Sequence, residues 1–135
     1  MKDDEILFLK IKSPEAINFF EEHNKVISEK GYVDFAKLGR SSLRVDTMPQ
    51  SGEFFIKESV ANGGKLFRVH YIAILEQGVF YPSYYEKPKT SLWFRLDKLE
   101  EVPLCILEDY VTRAGGDVSN ALRSMSPNFY IKKRI

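Results

Sequence analysis

Two kinds of side chain in this sequence could act on a ligand: cations beside hydroxyls, and flat rings crowded into a loop. Lys37-Leu38-Gly39-Arg40-Ser41-Ser42-Leu43-Arg44 carries three cations, two hydroxyls and one glycine in eight residues. Cations and hydroxyls contact phosphate oxygens, and a glycine lets a backbone approach closely; a plain solvated turn has the same composition. Phe80, Tyr81, Tyr84 and Tyr85 crowd a segment that holds Pro82 and Pro88. Tyrosine and tryptophan offer a π-face on which a base can stack, while rings of this size also commonly close a core. A second group of cations lies at 119–135, where Arg123, Lys132, Lys133 and Arg134 occur with no acid.

Chemistries that break bonds find few candidates. His23, His70 and Cys105 share no metal-ligand spacing, so each histidine reads as solvated or satisfied in the core and no metal or cofactor is expected. His23 is expected on the polar side of a helix. Cys105 lies in the apolar run Pro103-Leu104-Cys105-Ile106-Leu107, where a thiol would be desolvated and serve packing. Ser41, Ser42 and Ser83 lack the glycines of a nucleophile elbow, and Asn62-Gly63-Gly64-Lys65 lacks the spacing of a P-loop. His70, Asp34 and Glu58 are too scattered to make an enzyme, so the reading is non-enzymatic.

The totals bound the class. A chain of 135 residues, 44% hydrophobic and 29% charged, is long enough to bury one core and is expected to be a single domain spanning 1–135. A formal charge of +1 excludes a polycation that coats nucleic acid or an anionic membrane, so any basic footprint is local. One cysteine excludes an internal disulfide and fits a reducing compartment. No apolar run approaches the ~20 residues that cross a bilayer, and Met1-Lys2-Asp3-Asp4-Glu5 is too acidic for a secretory leader. The expectation is a cytoplasmic protein of microbial or viral type with no membrane partner.

These residues must be positioned by strands and a few helices. Ile6–Ile11 reads as a buried strand. Ser13 and Pro14 read as N-cap and first turn of a helix, with Ala16, Ile17, Phe19, Phe20, Val26 and Ile27 on its apolar side and Gly31 as its stop. Strands follow at 32–38, 54–58, 66–76 and 92–96, the middle pair joined as a hairpin through Asn62-Gly63-Gly64. Apolar residues at Leu104, Leu107 and Val111 predict a helix over 97–114 that ends at Gly115-Gly116. Another helical turn is expected at 119–124, and a last strand at 129–132 after Pro127. The expected class is α+β: a curved, mostly antiparallel sheet or small β-barrel with flanking helices, not a doubly wound parallel sheet.

In this order the segments resemble the PUA-like superfamily, particularly its EVE and YTH branch. The resemblance is carried by 8–13, by Gly31-Tyr32-Val33-Asp34-Phe35-Ala36, by 48–56, by 64–69 and by Leu92-Trp93-Phe94-Arg95-Leu96. It covers most of the chain through loose, hydrophobic motifs. It implies a base held in an aromatic pocket lined by Tyr32, Phe35, Ser41, Ser42, Tyr81, Tyr84, Tyr85 and Trp93. The chain departs from the YTH pattern, with Tyr32-Val33-Asp34-Phe35 where a cage tryptophan stands, and Asp34 would sit close to a bound phosphate. An EVE-like module fits better than a methyladenosine reader.

The leading expectation is therefore a module that binds DNA or RNA, holding one base, modified or not, in that pocket. Lys37, Arg40, Arg44, Lys132, Lys133 and Arg134 would hold phosphates. The alternatives are a protein-interaction or inhibitor module of phage type that uses the aromatic 80–85 loop, and a binder of free nucleotides.

Overall fold

The computed structural model describes residues 1–12, 14, 16–37, 45–59, 64–85, 90, 92–123 and 127–135. In chain order the elements are β1 (Glu5–Ile11), α1 (Phe19–Lys30), β2 (Val33–Ala36), β3 (Gly52–Glu58), β4 (Leu66–Leu75), β5 (Trp93–Val102), β6 (Tyr110–Thr112), α2 (Val118–Leu122) and β7 (Asn128–Lys133). Short 3-10 turns occupy Val45–Thr47 and Leu104–Asp109. The strands form one seven-stranded mixed sheet in the order β2-β5-β4-β3-β1-β7-β6. The α+β class is observed. The sheet is open, with β2 and β6 at its edges, so the small β-barrel is not formed.

Burial explains the order. Leu7, Phe8 and Leu9 are buried in succession, as are Phe54, Phe55 and Ile56, so β1 and β3 are covered on both faces. Such strands sit inside a sheet. The two pair in parallel, with Phe8 opposite Phe55, because α1 and β2 intervene and supply the crossover that a parallel pair requires. The pairs β1–β7, β2–β5 and β6–β7 are antiparallel. Among the described residues no helix is long and apolar enough to cross a membrane.

The chain divides into two compact units drawn from interleaved segments, and β3, β4 and β5 contribute residues to both. The first comprises Met1–Lys12, Glu53–Arg68 and Glu101–Ile135; the second comprises Ser13–Gly52 and Val69–Glu100. The core of the first gathers Phe8, Phe55, Leu66, Leu107, Tyr110, Val118 and Ile131. Phe8 stacks on Phe129 at 4.7 Å, and Phe55 meets Tyr110 edge-on at 5.5 Å. The second buries Phe19, Val33, Phe35, Trp93, Phe94 and Leu96.

Three expectations change. Helix α1 starts at Phe19, not beside Pro14, because the Asn18 side chain accepts from Glu21 N–H at 3.0 Å, a donor that a longer helix would give to the Ile17 carbonyl. Its end is as expected: Gly31 adopts φ 87° and donates to the Ile27 carbonyl at 2.7 Å. Residues 97–114 are not a helix; β5 runs on to Val102, Pro103 starts the 3-10 turn, and Tyr110–Thr112 pairs with β7. There Gly115, at φ 91°, closes a turn with its N–H on the Thr112 carbonyl rather than ending a helix. The Asn62-Gly63 part of the hairpin turn lies outside the described residues.

Candidate functional site

Of the rings named from the sequence, Tyr81, Tyr84, Tyr85 and Trp93 meet in the second unit. Trp93, at the start of β5, is fully buried and donates its indole N–H to the Thr90 carbonyl at 3.1 Å. One face of the indole lies against the backbone of Gly78, where an added Cβ would stand 2.3 Å from the ring. Tyr81 and Tyr85 pack on it with centroids at 5.3 and 6.2 Å. Tyr84 meets Tyr85 edge-on at 5.0 Å, and Tyr81 stacks on Tyr85 at 5.7 Å with 14° between planes.

A residue expected on the polar side of its helix, His23, completes this cluster. His23 is fully buried one turn beyond Phe19, its ring 4.1 Å from Phe19 and 6.0 Å from Phe35. Its Nδ1–H donates to the Phe19 carbonyl at 2.9 Å, which leaves Nε2 to accept the Tyr85 hydroxyl at 2.7 Å. Burial pulls the imidazole pKa down to about 4, so it is the neutral ring that makes both bonds. Burial, with the Glu22 charge, pushes the Tyr84 phenol up to about 12. The spacing Phe19, His23, Ile27 is one helical stripe and carried the signal for this placement.

The rings therefore converge, but as a packed cluster. A base sandwiched between two rings needs about 7 Å between their planes, twice the ~3.5 Å contact distance. Tyr81 and Tyr85 are closer than that, Phe35 and Trp93 are buried, and Tyr32 lies apart beside Phe80 at 5.7 Å. Ser41 and Ser42 lie outside the described residues.

Asp34, expected near a bound phosphate, is instead a buried anchor. Arg95 grips it through Nε to Oδ1 at 2.9 Å and Nη2 to Oδ2 at 3.1 Å. Oδ2 also accepts from Val79 N–H at 2.7 Å and Phe80 N–H at 3.4 Å, while Asp34 N–H donates to the Phe80 carbonyl at 2.7 Å. The Arg95 guanidinium lies 4.1 Å over Tyr32, and Lys30 Nζ lies 4.8 Å over Phe80. A carboxylate on edge strand β2 thus fixes the backbone of the loop tip. Its side chains keep part of their surface open: Val79 is 58% exposed, Phe80 38% and Tyr81 36%.

The cations divide. Lys37 is buried, which lowers its pKa, and its backbone bonds Thr90 and Leu92, so it does not stand out toward a phosphate. Arg40 and Arg44 lie outside the described residues. Lys132, Lys133 and Arg134 belong to the first unit, at the end of β7, with Lys132 opposite Glu5 and Val111. His70, read as isolated, pairs its Nδ1 with Asp97 Oδ1 at 2.6 Å on the exposed side of β4 and β5. Cys105 is exposed on the 3-10 turn and not desolvated, because residues 104–109 turn only Leu107 fully inward. Among the described residues no three His, Cys, Asp or Glu side chains gather to hold a metal. No family model, curated protein or solved structure matches this chain.

Proposed function

We propose that this chain is a non-enzymatic binding module that docks a protein partner through the Val79–Phe80–Tyr81 tip. One observation carries the reading: Val79, Phe80 and Tyr81 are part-exposed in succession, on a backbone that a buried carboxylate bonds at Val79 and Phe80. Ordering a loop costs binding energy, and a tip fixed before the encounter avoids that cost. Interface hot spots are enriched in aromatic anchors, and Lys30 supplies a cation next to Phe80. The partner that fits is an apolar pocket rimmed by carboxylates. The near-neutral charge of the chain agrees with a partner other than a polyanion.

Capture of partners from cells of the source, with wild type beside Phe80→Ala, Tyr81→Ala and Ile72→Ala, tests this. The first two substitutions should abolish capture of a specific partner and the third should leave it intact; a partner held equally by all four proteins would rule the tip out. The competing reading, a base held among Tyr81, Tyr84, Tyr85 and Trp93 as the PUA-like resemblance implies, requires those rings to part. Oligonucleotide titration would then quench Trp93 emission, and an unchanged spectrum is the outcome expected here.

A further inference from the structure

Two tyrosine hydroxyls of the second unit meet acceptors of different chemistry. Tyr85 donates to His23 Nε2 at 2.7 Å, within the about 2.6–3.2 Å over which a base takes a proton. Tyr71 donates to the Pro49 carbonyl at 2.8 Å, and an amide oxygen is too weak a base to take it. We propose that Tyr85 and His23 form a proton-coupled redox pair, in which Tyr85 gives one electron to an outer-sphere one-electron oxidant and its hydroxyl proton to Nε2.

The step balances between the pair and the oxidant. The Tyr85 O–H bond breaks, an N–H bond forms at Nε2, and the oxidant gains the electron, which leaves a neutral phenoxyl radical beside an imidazolium. Ionisation of the phenol ahead of the electron is closed off, because burial, with Tyr84 beside it, holds Tyr85 well above the ordinary phenol range. The imidazole is ready to accept. Its Nδ1–H donates to the Phe19 carbonyl, so the lone pair stands on Nε2. A phenol that has lost an electron is a far stronger acid than an imidazolium, so the transfer runs downhill even to a ring that burial has brought down to about 4. After the transfer both ring nitrogens are donors, and each already has its acceptor in the Phe19 carbonyl and the Tyr85 oxygen. The Ala36 N–H donates to that same oxygen and the Tyr84 hydroxyl bonds it, which holds the phenoxyl in place. The electron has a way out. Part-exposed Tyr81 stacks on Tyr85 at 5.7 Å, and Trp93 joins the two at 5.3 and 6.2 Å, all within the about 4.5–7 Å of rings in contact.

This activity is read on the protein alone, so it stands or falls apart from the docking of a partner at the Val79–Tyr81 tip. The oxidant used is ruthenium(III) tris-bipyridine generated by a flash, with the tyrosyl radical followed by transient absorption and electron paramagnetic resonance. A solvated tyrosine gives its proton to the buffer, so its oxidation accelerates as buffer base is added at fixed pH and ionic strength. The wild type should show a phase of tyrosyl formation whose rate does not change with buffer base. Tyr85→Phe and His23→Phe should each abolish that phase and leave only the buffer-dependent one, while Tyr71→Phe should keep it; circular dichroism checks that each variant is folded. A wild-type rate that rises with buffer base throughout would overturn the proposal with no variant needed. So would a buffer-independent phase that survives in folded Tyr85→Phe or His23→Phe.

Discussion

Among the described residues, each unit buries one carboxylate and pairs it with an arginine that lies over a tyrosine. In the first, Glu5 takes Arg113 through bonds of 2.6 and 2.8 Å, and the guanidinium sits 4.6 Å over Tyr130. In the second, Asp34 takes Arg95 at 2.9 and 3.1 Å, 4.1 Å over Tyr32. The difference is what else the carboxylate holds. Glu5 also accepts Lys2 N–H, at 2.8 Å, whereas Asp34 fixes two amides of a loop tip whose side chains are part-exposed. The side chain of Arg95 is 22% exposed and that of Arg113 is 53%. The same pair of groups thus ties down a chain segment in one unit and preorganises a binding surface in the other.

Removing one partner of a buried pair leaves the other charge without compensation, at about 3–5 kcal/mol. Asp34→Ala should reach that range in urea denaturation and also free the tip. Asp34→Asn should lose less, because its carbonyl still accepts from Val79. Glu5→Gln should cost less than Asp34→Ala, since half-exposed Arg113 stays hydrated when its partner loses charge. Equal losses at the two sites would erase the contrast.

Acid separates the units next. A histidine whose folded pKa is about 4 against an ordinary 6.5 binds its proton more readily when unfolded, so stability is intact above 6.5 and is lost as pH falls toward 4. At ~1.4 kcal/mol per pKa unit, that shift is worth about 3 kcal/mol. Glu5, held at about 2 chiefly by its bonds to Arg113, loses its contribution lower, as pH falls from 4.5 toward 2. Stability measured against pH should fall in both windows, and His23→Phe should flatten the upper one alone. A slope between 6.5 and 4 that survives His23→Phe would show that another group titrates there.

A smaller loss isolates the indole. Gly78→Ala forces a methyl to 2.3 Å from Trp93, where a rigid ring and backbone must both shift, at about 1–3 kcal/mol. Trp93 emission should move red as the packing opens. An unshifted spectrum with unchanged stability would mean that the loop does not rest on the ring.

Much of the sheet was legible because its signals are local. The runs 6–11, 54–58 and 129–132 lie on observed strands, 66–76 overruns β4 by one residue, and Gly31 stops α1 where a left-handed residue fits. Residues 97–114 misled because Leu104, Leu107 and Val111 suit helical spacing; the sheet neighbours of β5 and the break at Pro103 decided otherwise. The ring cluster was legible by composition, its closure was not. The Asp34–Arg95 pair spans 61 positions, and no local pattern announces a contact at that separation.

The smallest expected effect on stability is the one that bears most on function. Phe80 is exposed, and its amide and carbonyl, not its ring, make the bonds to Asp34. Phe80→Ala keeps that backbone and should change the unfolding midpoint by no more than ~0.5 kcal/mol, as surface substitutions do. Asp34→Asn keeps the ring and alters its support. If the tip docks a partner, Phe80→Ala loses affinity through dissociation with the fold unaltered, and Asp34→Asn loses it in proportion to how far the loop is released. Should Phe80→Ala destabilise the protein as much as Asp34→Ala, the ring belongs to the core of the second unit and the tip has no surface to offer.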